Sequence, residues 1–258
     1  MSDVLALGYH GISASWPAET TVAPDRFEAQ LTHLVAQGYR GATFAGALTA
    51  PPAPRTVAVT FDDAHRSVLE LALPIMSRLG LVGTVFVPTA FADDGGLMSW
   101  PGIAQWLGGP YEPELRCMTW DELRSLAELG WEIGSHTRSH PRLTQLDAGA
   151  LAAELSESRE QCEDVLARPC RSLAYPYSDY DDRVVRAALA AGYRFAATIP
   201  RGVAAPLPLR WPRVGVYGHT SDRRFRVRVS RRLRGARGSS AWRTFNGARH
   251  RVLGLRRR

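Results

Sequence analysis

The stretch Thr56–Asp63, with the sequence TVAVTFDD, decides how this chain folds and what chemistry it can carry. Its first six residues are β-branched, small or aromatic, which is typical of a buried β-strand. Two adjacent aspartates, Asp62 and Asp63, follow this strand directly. Adjacent acids often mark only a solvated turn. Beside a buried strand, however, two aligned charges are costly without a counter-charge, and a bound metal ion would supply one.

A second polar cluster, Ser135–His140 with the sequence SHTRSH, follows another strand-like run, Trp131–Gly134. His136 and His140 are four residues apart, which places both imidazoles on one side of a helix or turn. Alone, the pair would also fit two surface histidines. Together with the two carboxylates, it can hold one divalent metal and leave a base beside it. Such a metal acidifies water and polarises a carbonyl, so the clusters predict metal-assisted hydrolysis.

Strand-like and helix-like segments alternate along the chain, which is the pattern of an α/β barrel or an open α/β sheet. Strands are predicted at 4–9, 56–61, 82–88, 131–134, 172–175 and 195–199, and helices at 25–37, 67–79, 120–129, 147–166 and 182–191. Pro74 is expected to kink or divide the second helix. The polar clusters follow strands, and in a barrel those strand ends meet at one face, where active sites lie.

Charge divides the chain into two parts. The 258 residues carry a net charge of +7, and all 32 basic residues are arginine. Fourteen of these arginines lie in residues 221–258 against one acid, about +13, whereas residues 1–220 hold 18 arginines and 24 acids, about −6. We therefore predict a domain over 1–220 and a basic C-terminal tail over 221–258.

The tail admits three interpretations. Phe225, Val229 and Leu233 at four-residue spacing would suit a basic amphipathic helix on an anionic membrane surface. Arginine also neutralises phosphate, although nucleic-acid binding is the weaker expectation. The third interpretation is a solvated terminus.

Compartment is predicted from the N-terminus and the cysteines. Residues 1–8 have an acid where a signal peptide has basic residues, and the apolar stretch is short. Three cysteines, an odd number without metal-finger spacing, are typical of reduced thiols. We expect a cytoplasmic protein, placed at the inner membrane face if the tail binds lipid.

Three motifs occur together in an order that resembles a known family. They are TFDD at 60–63, the two histidines within GSHTRSHP at 134–141, and AYPY at 174–177. The chain resembles the polysaccharide deacetylases, with the NodB homology domain of carbohydrate esterase family 4, over about residues 3–220. YHGI at 9–12 and RVGVY at 213–217 resemble a subgroup tied to exopolysaccharide and glycan-assembly loci.

The resemblance implies a distorted (β/α) barrel and a role for each motif residue. Asp62 would be the general base, and Asp63, His136 and His140 would bind the metal. The backbone N–H of Tyr177 would help hold the oxyanion. Pro176 and the Tyr177 side chain would shape the substrate pocket, and Trp100, in the Gly- and Trp-rich loop at 91–116, is a candidate for stacking on sugar.

The sequence departs from the family pattern in three places. Arginine is missing before the Pro-Tyr motif, no tryptophan motif follows it, and the late Leu-x-His motif that supplies the general acid is unclear. His10 is the preferred acid because it ends the first strand and so lies at the catalytic face of a barrel. His219 is the alternative. His65 is expected to be an ordinary loop residue.

The expected function is metal-dependent removal of acetyl groups from N-acetylated sugars of a polysaccharide or lipid-linked glycan. Zinc is the expected metal, although cobalt, nickel or iron would accept the same ligands. One alternative is a cyclic-imide or ureide hydrolase on the same barrel, which would have a closed pocket instead of an open groove. Another is a catalytically silent glycan- or membrane-binding module. The sequence leaves the oligomeric state open.

Overall fold

Nine parallel strands form the centre of the molecule. The computed structural model describes residues 4–49, 55–200 and 205–230. The strands are β1 (Val4–Tyr9), β2 (Arg40–Gly41), β3 (Thr56–Phe61), β4 (Gly83–Val87), β5 (Glu132–Ser135), β6 (Ser172–Ala174), β7 (Phe195–Thr198), β8 (Trp211–Pro212) and β9 (Val214–Gly215). Their order is β8-β7-β6-β5-β4-β3-β1-β9, and β2 pairs with β3. Every strand pairing is parallel, as predicted for an α/β barrel.

The two ends of this strand order are separated in the chain by a single residue. β8 pairs with β7 at one end, and β9 pairs with β1 at the other. Only Arg213 lies between β8 and β9 in the chain. The chain therefore nearly closes the sheet into a distorted barrel at this residue. Sequence patterns did not predict β8 or β9, because each strand is two residues long and carries no periodicity.

Helices cover the outside of the strands. They are α1 (Pro24–Ala36), α2 (Phe44–Thr49), α3 (Leu73–Arg78), α4 (Trp120–Glu128), α5 (Ala148–Leu166), α6 (Asp182–Ala190) and α7 (Asp222–Val229). A π-helical segment, Val68–Ala72, precedes α3, so the predicted second helix is divided next to Pro74. Thr119 and Glu122 form a capping box at the start of α4.

Side-chain alternation in β3 connects the core to the site. Val57 and Val59 belong to the large core, and Ala58 belongs to a second cluster that also contains Phe86 and Phe44. Because side chains on a strand alternate between its faces, Thr60 lies on the same side as Ala58. The strand ends at Phe61, and the two aspartates follow it directly.

Helix α7 falls within the predicted tail but packs on α1. Phe225 and Val229 are 1% and 3% exposed, whereas Val227 is 51% exposed. Two residues of the predicted membrane-facing stripe therefore face the protein itself, a correction of that part of the prediction. Leu233 and the rest of the tail lie outside the described residues, so the domain boundary and lipid binding stay predictions. No helix within the described ranges has both the length and the apolar character to cross a membrane.

We predict that Phe225→Ala lowers the free energy of unfolding by about 3–5 kcal/mol, because it removes a fully buried aromatic ring between α7 and the barrel. Val227→Ala, on the exposed side of the same helix, should change it by no more than about 0.5 kcal/mol. Urea unfolding of both variants measures this. Equal small effects would show that α7 is not part of the folded unit.

Candidate active site

The two aspartates at the end of β3 are buried and point to different partners. Asp62 is 3% exposed and Asp63 is 4% exposed. The Asp62 N–H donates to the Tyr9 carbonyl at 2.9 Å, which extends the pairing with β1. Asp63 and Ala64 then adopt left-handed backbone conformations, with φ of 69° and 54°. This turn places the second carboxylate next to the histidines rather than beside the first.

Asp63, His136 and His140 form the predicted metal-binding set. One ligand atom from each lies within 4.8 Å of the others, and all three residues are buried. Asp63 Oδ1 is 3.3 Å from His136 Nε2 and 3.4 Å from His140 Nε2. The structure thus brings together residues that are 77 positions apart in the chain, as the barrel predicts.

The donor chemistry of this set fits a cation. His136 Nδ1 lies 2.8 Å from the Ala174 carbonyl, which only a protonated Nδ1 can satisfy, so Nε2 is the ring atom that can give a lone pair to a cation. Burial lowers the pKa of His136, but the hydrogen bond to Asp63 and the charges of Asp62 and Asp63 outweigh it, so without a cation the pKa lies above its ordinary value. Burial lowers the pKa of His140 to about 3, so its ring is neutral. Asp63 Oδ1 is buried without a hydrogen-bond partner among the described residues. Three lone pairs that converge on one point are the arrangement that a divalent metal occupies.

Aromatic rings fix the orientation of His140. The indole of Trp100 stacks on its imidazole at a centroid distance of 4.0 Å and an interplanar angle of 19°, and Tyr177 contacts it edge-on at 4.7 Å. Trp100 is 7% exposed. One face of the indole is covered by His140, so Trp100 orients a metal-ligand candidate, and its contact with substrate stays a prediction.

Asp62 has a partner that the sequence analysis did not identify. Arg213 donates from Nη1 to Asp62 Oδ1 at 2.6 Å and from Nη2 to Oδ2 at 2.8 Å. Its Nη1 also donates to Thr60 Oγ1 at 2.7 Å. Burial raises the pKa of Asp62, but the charges of Arg213 and His136 outweigh it, so the pKa lies below its ordinary value.

This arginine replaces the one that is missing before the Pro-Tyr motif. Arg171, the nearest arginine before that motif, is exposed and has no contact with Asp62. Arg213 is 4% exposed and enters from the closure between β8 and β9. The signal in the sequence is the RVGVY segment, which contains Arg213 but does not by itself show that this arginine meets Asp62.

The two candidates for the general acid lie at different depths. His10 Nε2 is 3.8 Å from Asp62 Oδ2, and its Nδ1 is buried without a partner among the described residues. Burial lowers the pKa of His10, which the carboxylates of Asp63 and Asp62 oppose only in part. His219 is half exposed, and its Nδ1 lies 3.5 Å from Glu19 Oε1. Its ring stacks on that of Tyr217. The structure therefore places His10 beside Asp62 and His219 at the surface.

His65 lies in the site rather than in an ordinary loop position. It is fully buried, with Nδ1 2.9 Å from the Glu114 carbonyl and Nε2 3.6 Å from Asp63 Oδ2. His65 therefore flanks the second carboxylate oxygen of Asp63, opposite the two ligand histidines. Its place two residues after Asp63 is the available signal in the sequence.

The Pro176–Ser178 turn forms one side of the site. Pro176 is buried, and Tyr177 and Ser178 have φ of 56° and 51°. The Ser178 hydroxyl accepts the Ile199 N–H at 2.7 Å and fixes the turn. Six of the eight left-handed non-glycine residues in the described ranges belong to this site: Asp63, Ala64, Thr137, His140, Tyr177 and Ser178. Such conformations persist where surrounding contacts enforce them, which is common at functional sites.

Comparison with protein families decides the assignment. The family model for polysaccharide deacetylases matches residues 49–196, more than half of the chain. The chain belongs to the polysaccharide deacetylase family. The match covers the aspartates, both histidines and the Pro-Tyr turn, as the sequence motifs predicted.

Individual relatives agree with the family. YxkH of Bacillus subtilis (strain 168), which is named as a polysaccharide deacetylase, is 25% identical over 204 residues, or 77% of this chain and 65% of the relative. The chain thus spans less than two thirds of that protein. A Bacillus anthracis structure named for the same family has a TM-score of 0.72 and 24% identity, covering 88% of this chain and 69% of its own.

A second structure covers nearly the whole of its own length. The Streptococcus pyogenes deacetylase PplD, solved in complex with acetate, has a TM-score of 0.72 and 23% identity, covering 86% of this chain and 95% of its own. At these identities the structural likeness shows the fold, and it confirms the predicted distorted barrel of the deacetylase type.

We predict that Arg213→Gln lowers the free energy of unfolding at pH 7 by about 3–5 kcal/mol, because it leaves the Asp62 carboxylate buried without its partner. The pKa of Asp62 is lowered in the folded protein, so the pair's contribution is present above the unfolded pKa of about 3.9 and is lost as the pH falls through the folded value. The difference between the variant and the unmodified chain should therefore shrink in acid.

The matched control is Arg210→Gln, which removes a partly exposed arginine paired with Asp182. It should cost less than about 1 kcal/mol at either pH. Denaturant unfolding at several pH values measures both variants. Equal costs for the two substitutions would contradict a buried, bidentate Arg213–Asp62 pair.

Proposed function

We propose that this deacetylase-family chain hydrolyses acetyl groups from N-acetylated sugars in a metal-dependent reaction. The observation that supports this most strongly is the separation of the two aspartates. One is held by Arg213 beside His10, and the other converges with two imidazoles. A hydrolase of this kind needs a base and a metal ligand next to each other.

Asp63, His136 and His140 would hold the metal. The set suits zinc best, with cobalt, nickel or iron as chemically similar alternatives. When bound, such an ion supplies Lewis-acid activation of the acetyl carbonyl and lowers the pKa of water. The Ala174 carbonyl, which fixes the tautomer of His136, and the Trp100 indole, which stacks on His140, orient two of the ligands.

Asp62 is the proposed general base. The two Arg213 hydrogen bonds fix the plane of its carboxylate and keep it ionised, so it can accept a proton from the attacking water. Each carboxylate oxygen retains a second lone pair for that proton. Arg213 is thus a positioning residue that acts through Asp62.

His10 is the proposed general acid for the leaving amine. Its Nε2 lies 3.8 Å from Asp62 Oδ2. Burial lowers the pKa of His10, and this makes its imidazolium form a stronger acid. From the family resemblance, the Tyr177 N–H would donate to the oxyanion, where a preorganised donor is worth more than in water.

The sugar substrate is supported over the alternatives by the shape of the site. Tyr177 is 36% exposed, and the neighbouring Arg142 is also exposed, so this side opens to solvent as a groove would. A cyclic-imide hydrolase would need a closed pocket. A silent module would have no reason to keep three buried ligand candidates and a buried charged pair. Streptococcus pyogenes PplD was solved with acetate, the product expected here.

The direct test is acetate release from N-acetylglucosamine oligomers by the zinc-loaded chain. Asp62→Asn should lower the rate by about 10²–10⁴-fold, because a general base of this kind supplies that much, while bound zinc stays at one per chain. An O-acetylated oligomer in parallel separates amide from ester hydrolysis. If Asp62→Asn released acetate at the unmodified rate, or if no acetylated sugar were hydrolysed, the proposal would be wrong.

We predict that His10→Gln lowers kcat by about 10²–10⁴-fold, whereas His219→Gln leaves it within about twofold, because only His10 contacts the base. Steady-state acetate release measures both. The loss at His10 should be smallest at high pH, where the imidazole of the unmodified chain is already neutral. A larger effect at His219 would reverse the assignment.

A further inference from the structure

An exposed arginine stands at the outer end of the site wall. The Arg142 guanidinium carbon lies 4.4 Å from the centre of the Tyr177 ring, and Tyr177 in turn contacts His140 at 4.7 Å. From the metal-ligand candidate outward, the wall therefore consists of an imidazole, a phenol ring and a cation. These two contacts place the cation next to the site, separated from His140 by one aromatic ring.

The backbone that carries Arg142 is held by the loop after β6. Arg142 precedes a 3₁₀ turn at Leu143–Gln145. The Thr144 N–H and hydroxyl both donate to Asp179 Oδ2, at 2.9 and 2.8 Å. Arg183 donates to the carbonyls of two residues of the turn, Leu143 and Thr144, and of Leu146, which follows it. The same β6–α6 connection carries Tyr177, so the cation and the aromatic ring are fixed to one scaffold.

The guanidinium of Arg142 forms no ion pair with a carboxylate within the described structure. No carboxylate in residues 4–49, 55–200 and 205–230 lies within 4.0 Å of its guanidinium, whereas the exposed Arg138 pairs with Glu157 at 3.3 Å. Stacking on the Tyr177 ring leaves the edge of the guanidinium, where its N–H groups lie, available to a ligand.

We propose that Arg142 is a specificity-determining residue that binds an anionic group, a carboxylate or a phosphate, on the substrate sugar chain near the acetamido group. The planar guanidinium matches both groups through paired N–H donors. The inference rests on the proposed sugar substrate and narrows it to acidic N-acetylated saccharides. Tyr177 contributes by holding the guanidinium at the entrance of the site.

The test measures binding separately from hydrolysis. Three non-hydrolysable tetrasaccharides carry N-methylsulfonyl in place of N-acetyl, and differ only at C6 in having hydroxyl, carboxylate or phosphate. Calorimetry with the zinc-loaded chain should show about fivefold tighter binding of at least one acidic form, and the tighter of the two identifies the anion. The preference should weaken with added salt.

Arg142→Gln should abolish the preference and leave the affinity for the neutral oligomer within about twofold. Arg138→Gln, which removes an exposed charge from the same loop, should keep it. The proposal is overturned if the unmodified chain shows no preference, if Arg142→Gln retains it, or if Arg142→Gln weakens all three oligomers equally. Acetate release from the N-acetylated oligomer is measured alongside, so a chain that prefers the acid but releases no acetate refutes the proposed function and not this site.

Discussion

A buried ion pair between Arg213 and Asp62 connects the closure of the barrel to its chemistry. Removing two charges from water is costly, and the cost is recovered only with close geometry and satisfied hydrogen bonds. The bidentate contact and the Thr60 hydroxyl meet that condition. Because Arg213 is the one residue between β8 and β9, the sheet closes where Asp62 is held. In the proposed mechanism, folding and catalysis therefore depend on the same side chain.

The neighbouring carboxylate, that of Asp63, is stabilised by histidines instead of an arginine. Asp63 is equally buried but faces imidazoles, and its Oδ1 has no hydrogen-bond partner within the described structure. Burial raises its pKa, yet the contacts with His136 and His65 lower it well below its ordinary value. A left-handed turn between the two carboxylates directs Asp62 to Arg213 and Asp63 to His136 and His140. The strain at Asp63 and Ala64 thus separates two chemical roles in adjacent residues.

Much of this could be predicted from the sequence because the main strands are buried on both sides and end in polar residues. Their periodicity predicted an α/β barrel or open sheet with the polar clusters at the strand ends, and the family resemblance selected the barrel. The structure brings Asp63, His136 and His140 together at that face. The predicted division of the second helix next to Pro74 follows from the proline ring, which removes a backbone N–H and clashes with the preceding turn. Arg213 could not be paired with Asp62, because the two are 151 residues apart and meet only through strands too short to show a pattern.

Two other residues show what local reasoning leaves out. The loop position of Trp100 predicts a sugar contact, which stays a prediction, but it does not reveal that the indole stacks on His140. Phe225 was interpreted as part of a membrane-facing stripe, but an amphipathic spacing predicts only that one face is buried and not against what. In both cases tertiary contacts, which sequence spacing does not encode, decided the role.

The most direct measurement is anomalous diffraction at the zinc edge from crystals of the zinc-loaded protein. Our account predicts one anomalous peak about 2.0–2.2 Å from His136 Nε2, His140 Nε2 and an Asp63 carboxylate oxygen, with Asp62 still paired to Arg213. A zinc ion bonded to Asp62, or one that displaces Arg213 from it, would contradict the division between ligand and base on which the account depends.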